Sequence, residues 1–123
     1  MPANAVSRIK FSGSTDGRGI KVVAIATPGI QIHATGTGAT DKDVIWLYAV
    51  NSDTIDRKLT VEFGGVTAPD DLIEVTIPAE SGLVLVVPGM FLQGTGAAAN
   101  NVKAFAATAN VIIVHGYVDR VTP

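Results

Sequence analysis

Apolar positions in this chain come in short runs, each bounded by Gly, Pro, Asn or Asp. The most continuous is residues 43–52, Asp-Val-Ile-Trp-Leu-Tyr-Ala-Val-Asn-Ser, which holds the only Trp and is apolar at every position from Val44 to Val50. An unbroken apolar run of strand length predicts a central strand covered on both faces. Residues 83–87, Leu-Val-Leu-Val-Val, stopped by Pro88-Gly89, predict a second strand of the same kind. Residues 58–63 instead alternate strictly. Leu59, Val61 and Phe63 are expected inward, and Lys58, Thr60 and Glu62 outward on a wet face. Ile73, Val75 and Ile77 repeat the pattern around Glu74 and Thr76. In residues 30–34, Ile30, Ile32 and Ala34 share one face while Gln31 and His33 are expected to point away. Residues 20–27, 102–107 and 111–118 complete the strong strand signals, and 91–93 form a short extra piece.

The count is about eight strands at close spacing with no confident helix, the rhythm of a sandwich rather than of alternating helices and strands. Residues 97–107 are rich in Ala, but Asn100-Asn101 and the lack of a capping pattern argue against a helix there. The expected fold is all-β, a jelly-roll-like or other Greek-key β-sandwich preceded by a flexible N-terminal arm. The boundaries are 1–19 for the arm and 20–123 for the sandwich. The arm ends in the small, polar run Ser-Gly-Ser-Thr-Asp-Gly-Arg-Gly at residues 12–19, which buries too little apolar area to order itself. Its apolar anchors are Val6, Ile9 and Phe11. The alternation Ile9-Lys10-Phe11 suits a strand added to the edge of its own sheet or a neighbour's. Arg8, Ile9, Lys10, Phe11 and Arg18 are therefore the expected partner-binding residues.

Composition changes this picture in one respect. Charged residues are 16% of the 123 and apolar residues 47%, against about 25% charged in a typical globular chain. A domain so short of solvating groups is expected to cover apolar surface by self-association. Ile45, Trp46, Tyr48 and Tyr117 are the expected oligomer-interface residues. With 9 Lys+Arg against 11 Asp+Glu and a pI near 5.5, electrostatic binding to nucleic acid or to an anionic membrane is not expected. No apolar run approaches the length of a membrane helix, and residues 1–4 lack a signal-peptide pattern. Cys is absent, which excludes disulfides and thiolate chemistry and fits a product of the cytoplasm.

Candidate chemistry is sparse. His33 and His115 have no third ligand at a recognisable spacing, so structural or surface roles are expected, with a pH-sensitive contact next. Asp41 with Asp43, Asp53 with Asp56, and Asp70 with Asp71 fall in expected loops without the spacing of a calcium loop, and turn formation accounts for them. Ser81 lies outside any nucleophile elbow. Gly36-Thr37-Gly38 and Gly94-Thr95-Gly96 lack the Lys and the helix of a phosphate loop. Glu62 and Glu74 are the only carboxylates placed to face one another across a wet sheet, as a glycosidase pair would, and that face has little aromatic character. No catalytic residue, metal or cofactor is expected, and the chain is read as a non-enzyme.

The string Leu59-Thr60-Val61-Glu62-Phe63-Gly64-Gly65, the segment from Ala68-Pro69-Asp70-Asp71 to Ile77-Pro78, the strand between Gly82 and Gly89 and the ending His115-Gly116-Tyr117-Val118-Asp119-Arg120-Val121 together resemble small virion proteins of tailed bacteriophages. These are single-domain β-sandwich decoration, cement or minor structural proteins. The resemblance implies a capsid decoration subunit, made in the host cytoplasm and incorporated in the virion. It would be a homotrimer that binds the major capsid protein and stabilises the coat lattice. A carbohydrate- or receptor-binding module of a phage tail or fibre is the alternative, and it requires an exposed aromatic platform.

Overall fold

Residues 5–123 are described in the computed structural model of the chain. They form nine strands: β1 (Ala5–Ile9), β2 (Ile20–Lys21), β3 (Ile30–Ala34), β4 (Lys42–Asn51), β5 (Arg57–Phe63), β6 (Leu72–Ile77), β7 (Val84–Leu92), β8 (Asn101–Ala106) and β9 (Ile112–Thr122). One antiparallel sheet, A, has the order β1-β9-β4-β7 with β2 also on β9; the other, B, has the order β3-β8-β5-β6. The hydrogen-bonded pairs are nested. β1 and β2 pair with β9, β3 with β8, β4 with β7 and β5 with β6. The chain is thus one long hairpin wound into two sheets and closed by the β4–β9 and β5–β8 pairings. With β1 and β2 counted as one interrupted strand, this is the eight-strand jelly roll.

The core lies between the sheets. Ile45, Leu47 and Ala49 of β4, Val114 and Val118 of β9, Leu59 and Val61 of β5, and Val102 and Ala104 of β8 are all fully buried there. Period-two alternation brings them together, and it holds cleanly in β4, where the odd-numbered positions from Asp43 to Asn51 are buried and the even ones are not. Gly116 of β9 stands at a close approach. Its φ is 140°, and a Cβ there would run into the Trp46 carbonyl oxygen and the Phe11 ring.

Several expectations change. Residues 5–18 are laid onto the sandwich, with the edge strand on the chain's own sheet at residues 5–9 rather than 9–11: β1 pairs with β9 from Ala5↔Thr122 to Ile9↔Val118, and Phe11 is 1% exposed within the core rather than free for a partner. Residues 1–4 lie outside the described residues. Residues 83–92 are not a doubly covered strand that stops at Pro88. β7 runs through Pro88-Gly89 as the edge of sheet A, with register shifts opposite Ile45/Trp46 and Leu47/Tyr48. β5 has no wet face at its centre, since Thr60 and Glu62 are 4% and 1% exposed. Finally, His33 does not point away. Gln31 pairs with Lys103 and His33 with Val102, so Ile32 is an extra residue in β3. That bulge turns both Ile32 and His33 inward, and both are buried.

The cover over β5 comes from residues 22–29, where the expected strand 20–27 continues only to Lys21. Ala24 accepts from the Ala106 N–H at 3.1 Å, and Ile30 pairs with Ala104. Six steps along one strand thus answer two along the other, and the surplus chain reaches β5, where Thr27 and Gly29 bond Glu62.

Candidate functional site

The outer face of sheet A carries a broad grouping of exposed and half-exposed apolar side chains. Val44, Trp46, Tyr48 and Val50 of β4 point outward, beside Ile113, His115, Tyr117 and Asp119 of β9. The Trp46 and Tyr117 rings stack with centroids 6.3 Å apart and 25° between planes. Arg8 of β1 lies over the Tyr117 ring at 4.2 Å and bonds Asp119 at 2.9 and 3.2 Å. On the other side, Gly89 leaves room for the Trp46 ring, which a Cβ would meet at 2.7 Å. A continuous row therefore crosses all four strands. Leu85 and Phe91 of β7 extend it, 46% and 58% exposed, with Val6 at 65% on β1.

Two of the expected interface residues therefore share a ring stack, and a third, Tyr48, is on the same face. The fourth is corrected: Ile45 is fully buried between the sheets and has no access to a partner. Strand β4 is covered on its inner face only. The charges on the outer row neutralise each other, because the guanidinium of Arg8 holds the Asp119 carboxyl below the usual carboxylate range by hydrogen bonding. The edge of the sheet is less receptive than its face. Pro88 has no N–H to donate, and the two irregularities in β7 disturb the ladder that an added strand would follow.

A polar cluster sits at one end of the sandwich, where β3 of sheet B meets β4 and β9 of sheet A. Asp43, expected in a loop, is 1% exposed on the inner side of β4. Arg120 binds it with two hydrogen bonds, Nε to Oδ1 at 2.7 Å and Nη2 to Oδ2 at 2.8 Å. His33 Nε2 is 2.7 Å from Asp43 Oδ2, and the Ser12 backbone N–H donates to His33 Nδ1 at 3.0 Å. Because Nδ1 accepts, the ring is neutral and carries its proton on Nε2, donated to the carboxylate. Burial holds the His33 pKa below its ordinary value, with Arg120 and Lys10 adding to the effect against the pull of Asp43. Burial alone disfavours the Asp43 charge, but the hydrogen bonds from Arg120 and His33 outweigh it and hold the carboxyl below its usual range.

Ser12, His33 and Asp43 are the residue types of a nucleophilic triad, but they are not arranged as one. The ring nitrogen facing Ser12 is occupied by that residue's backbone N–H, and Ser12 Oγ accepts from the Ala34 N–H at 2.7 Å. No base stands ready to take the hydroxyl proton. The carboxylate pair fares no better. Thr27 Oγ1 donates to Glu62 Oε2 at 2.5 Å and the Gly29 N–H to Oε1 at 2.6 Å, while Glu74 sits opposite Thr60 and pairs with Lys58. Glu62 is a structural clasp for residues 22–29. Among the described residues no group of three His, Asp or Glu is placed to hold a metal ion.

The remaining expected positions are dispersed. Ile9 packs against the core and Phe11 lies within it, beside the His33 ring at 6.0 Å. Lys10 donates to the Ser14 carbonyl at 2.9 Å. Arg18 lines an open groove of about 470 Å³ with Thr15, Lys21 and His115. Of the five proposed docking residues, Phe11 is thus unavailable to a partner, and the other four do not form one patch. The two Gly-Thr-Gly loops, dissimilar in sequence setting, meet in space: the Gly96 N–H donates to the Thr37 carbonyl at 2.9 Å, and Gly94 packs on the backbone of Gly36 and Thr37. Asp53 and Asp71 accept the backbone N–H groups of Thr54 and Thr67, as turn residues do, whereas Asp56 accepts from the distant Ala79 N–H. The polar cluster was missed in sequence, and its only advance signal was an Asp and an Arg at the ends of two apolar strands. Comparison with protein-family models, with curated proteins and with solved structures finds no significant match for this chain.

Proposed function

We propose that this protein is a non-enzymatic structural subunit that works by assembly, most specifically a virion decoration protein that self-associates and binds a coat lattice. The observation that supports the reading is the outer face of sheet A, a largely apolar surface flanked by Lys21 and Lys42 and crossed by Arg8, Tyr117, Trp46 and Gly89. Its extent is adequate. Ten residues of β4 at about 3.4 Å, by four strands at about 4.8 Å, give roughly 650 Å², close to the ~800 Å² that each partner contributes to a standard interface. Depletion of charge with retention of aromatic rings and Arg is the composition of interface centres. The jelly roll is common to capsid and lectin domains, so the fold alone does not choose between them. Ring access favours assembly over sugar binding, because the Tyr117 face that a sugar would stack on is covered by Arg8.

Light scattering on the purified protein tests the reading together with cosedimentation on coat-protein shells of the virus that encodes it. The expected result is an oligomer at micromolar concentration that pellets with the shells. Replacing Trp46 by Ser and Leu85 by Lys on the same face is expected to dissociate it. A strictly monomeric wild type that does not pellet refutes the proposal. Binding to a glycan array, lost on replacing Tyr48 or Tyr117, decides for the carbohydrate-binding module instead.

A further inference from the structure

Residues 10–19 join β1 to β2 and leave the β9 edge between them. They are fastened to the bulged end of β3 by three hydrogen bonds: Ser12 N–H to His33 Nδ1 at 3.0 Å, Gly13 N–H to the Ile32 carbonyl at 2.9 Å, and the Ala34 N–H to Ser12 Oγ at 2.7 Å. The His33 ring is the centre of this fastening. Its other nitrogen is tied across to sheet A through Asp43, which Arg120 already neutralises with two bonds. A second proton on the ring has only Nδ1 to occupy. There it would point at the Ser12 N–H, so two donors would face each other at 3.0 Å where a hydrogen bond now stands. The charges around the ring do not compensate. Asp43 on β4 attracts, while Arg120 on β9 and Lys10 on the fastened segment itself repel.

We propose that protonation of His33 unfastens residues 10–19 from the end of β3, so that the segment is held at neutral pH and released in acid before the sandwich unfolds. The sign follows from linkage. A histidine kept neutral by burial in the fastened state takes up its proton near its ordinary pKa of 6.5 when the segment lifts and the ring is wetted. The released state therefore gains by up to about tenfold for each pH unit below that value, until the fastened ring itself is charged. Release exposes the buried Phe11 ring and removes the wall that Gly13, Thr15 and Arg18 give to the open groove beside His115. This inference rests on the polar cluster and is independent of any assembly through sheet A.

Two-dimensional NMR of the intact protein from pH 7.5 to pH 4.5, with hydrogen exchange over the same range, is the test. The expected result is a neutral His33 with its proton on Nε2 at pH 7.5. Below about pH 6.5, the Ser12 and Gly13 amides are expected to lose protection by up to about tenfold per pH unit, while the Ile45 and Val118 amides keep theirs. Replacing Lys10 by Gln removes a cation that repels the charged ring only while the segment is fastened, so the onset stays near pH 6.5 while the gain ends at a higher pH and less of the segment is released at pH 4.5. His33→Gln removes the titration, and the pH dependence of Ser12 exchange with it. If that variant does not fold, the Lys10→Gln shift decides the question. A ring charged at pH 7.5, a proton on Nδ1, protection of Ser12 and Gly13 that is constant with pH, or loss only together with Ile45 and Val118 would overturn the proposal.

Discussion

Replacing Phe11 by Ala separates two views of the N-terminal segment. If residues 1–19 were an arm used only for docking, the substitution would leave the stability of the domain unchanged. In the structure Phe11 is 1% exposed, within the core cluster and against the His33 ring. Truncation removes apolar area worth about 2–3 kcal/mol by transfer, and the cavity left behind raises the loss to about 3–5 kcal/mol. Unfolding entropy of about 2.1 cal/mol/K per residue over 123 residues converts each kcal/mol into about 4 °C, so Tm is expected to fall by about 12–20 °C. Trp46, the single Trp, reports urea unfolding by fluorescence, and circular dichroism reports Tm. The control is Val6→Ser on the exposed β1 strand, expected to change stability by no more than about 0.5 kcal/mol. A Phe11→Ala loss below about 1 kcal/mol, with an unchanged m-value, would refute the placement of this ring in the core.

Gly116→Ala is expected to cost more than about 4 kcal/mol or to prevent folding, because its Cβ has no room beside the Trp46 carbonyl; soluble expression and circular dichroism check this. Glu62→Ala leaves the Gly29 N–H and the Thr27 hydroxyl without their acceptor and is expected to cost about 2–3 kcal/mol, with faster hydrogen exchange in residues 22–29, while Glu62→Gln recovers part of it. Stability in urea is expected to fall with acid in two stages. The first begins below about pH 6.5, where the unfolded chain protonates His33 and the folded one does not. The second begins below about pH 3.8, where the same holds for Asp43. Asp43→Asn is expected to shrink the second stage to what Asp53 and Asp119 contribute, and midpoints measured against pH decide it.

The alternation in β5 correctly marked Leu59 and Val61 as inward, because that face is set by the strand itself. What covers the opposite face is set elsewhere. Glu62 is covered by a chain excursion from residues 22–29, and only the three-dimensional path shows that Thr27 and Gly29 arrive there. The error in β4 has the opposite sense. An unbroken apolar run predicts two covers, but a strand whose outward positions are Trp and Tyr at a protein surface reads the same in sequence. His33 escaped because strand alternation has no memory of bulges. One surplus residue at Ile32, between Gln31 opposite Lys103 and His33 opposite Val102, reverses the phase. Phe11 escaped because a single aromatic in a polar, Gly-rich stretch has no periodicity to read, whereas the all-β class and nearly every strand were legible from the turn residues between apolar runs. Of the expected interface, Trp46, Tyr48 and Tyr117 were legible as large apolar residues on strong strands, and only the register separates them from Ile45.

The Glu62 clasp and the chain it holds give the molecule a sidedness. Sheet B is plated by its own backbone where Thr27 and Gly29 reach Glu62, and no such cover lies over the outer row of sheet A among the described residues. Bricks with mortar on both sides stack without limit, but one with mortar on a single side is used up by its first bond. In a protein so poor in charge, each stretch of sheet that the chain plates over for itself is one fewer place at which copies could join without limit.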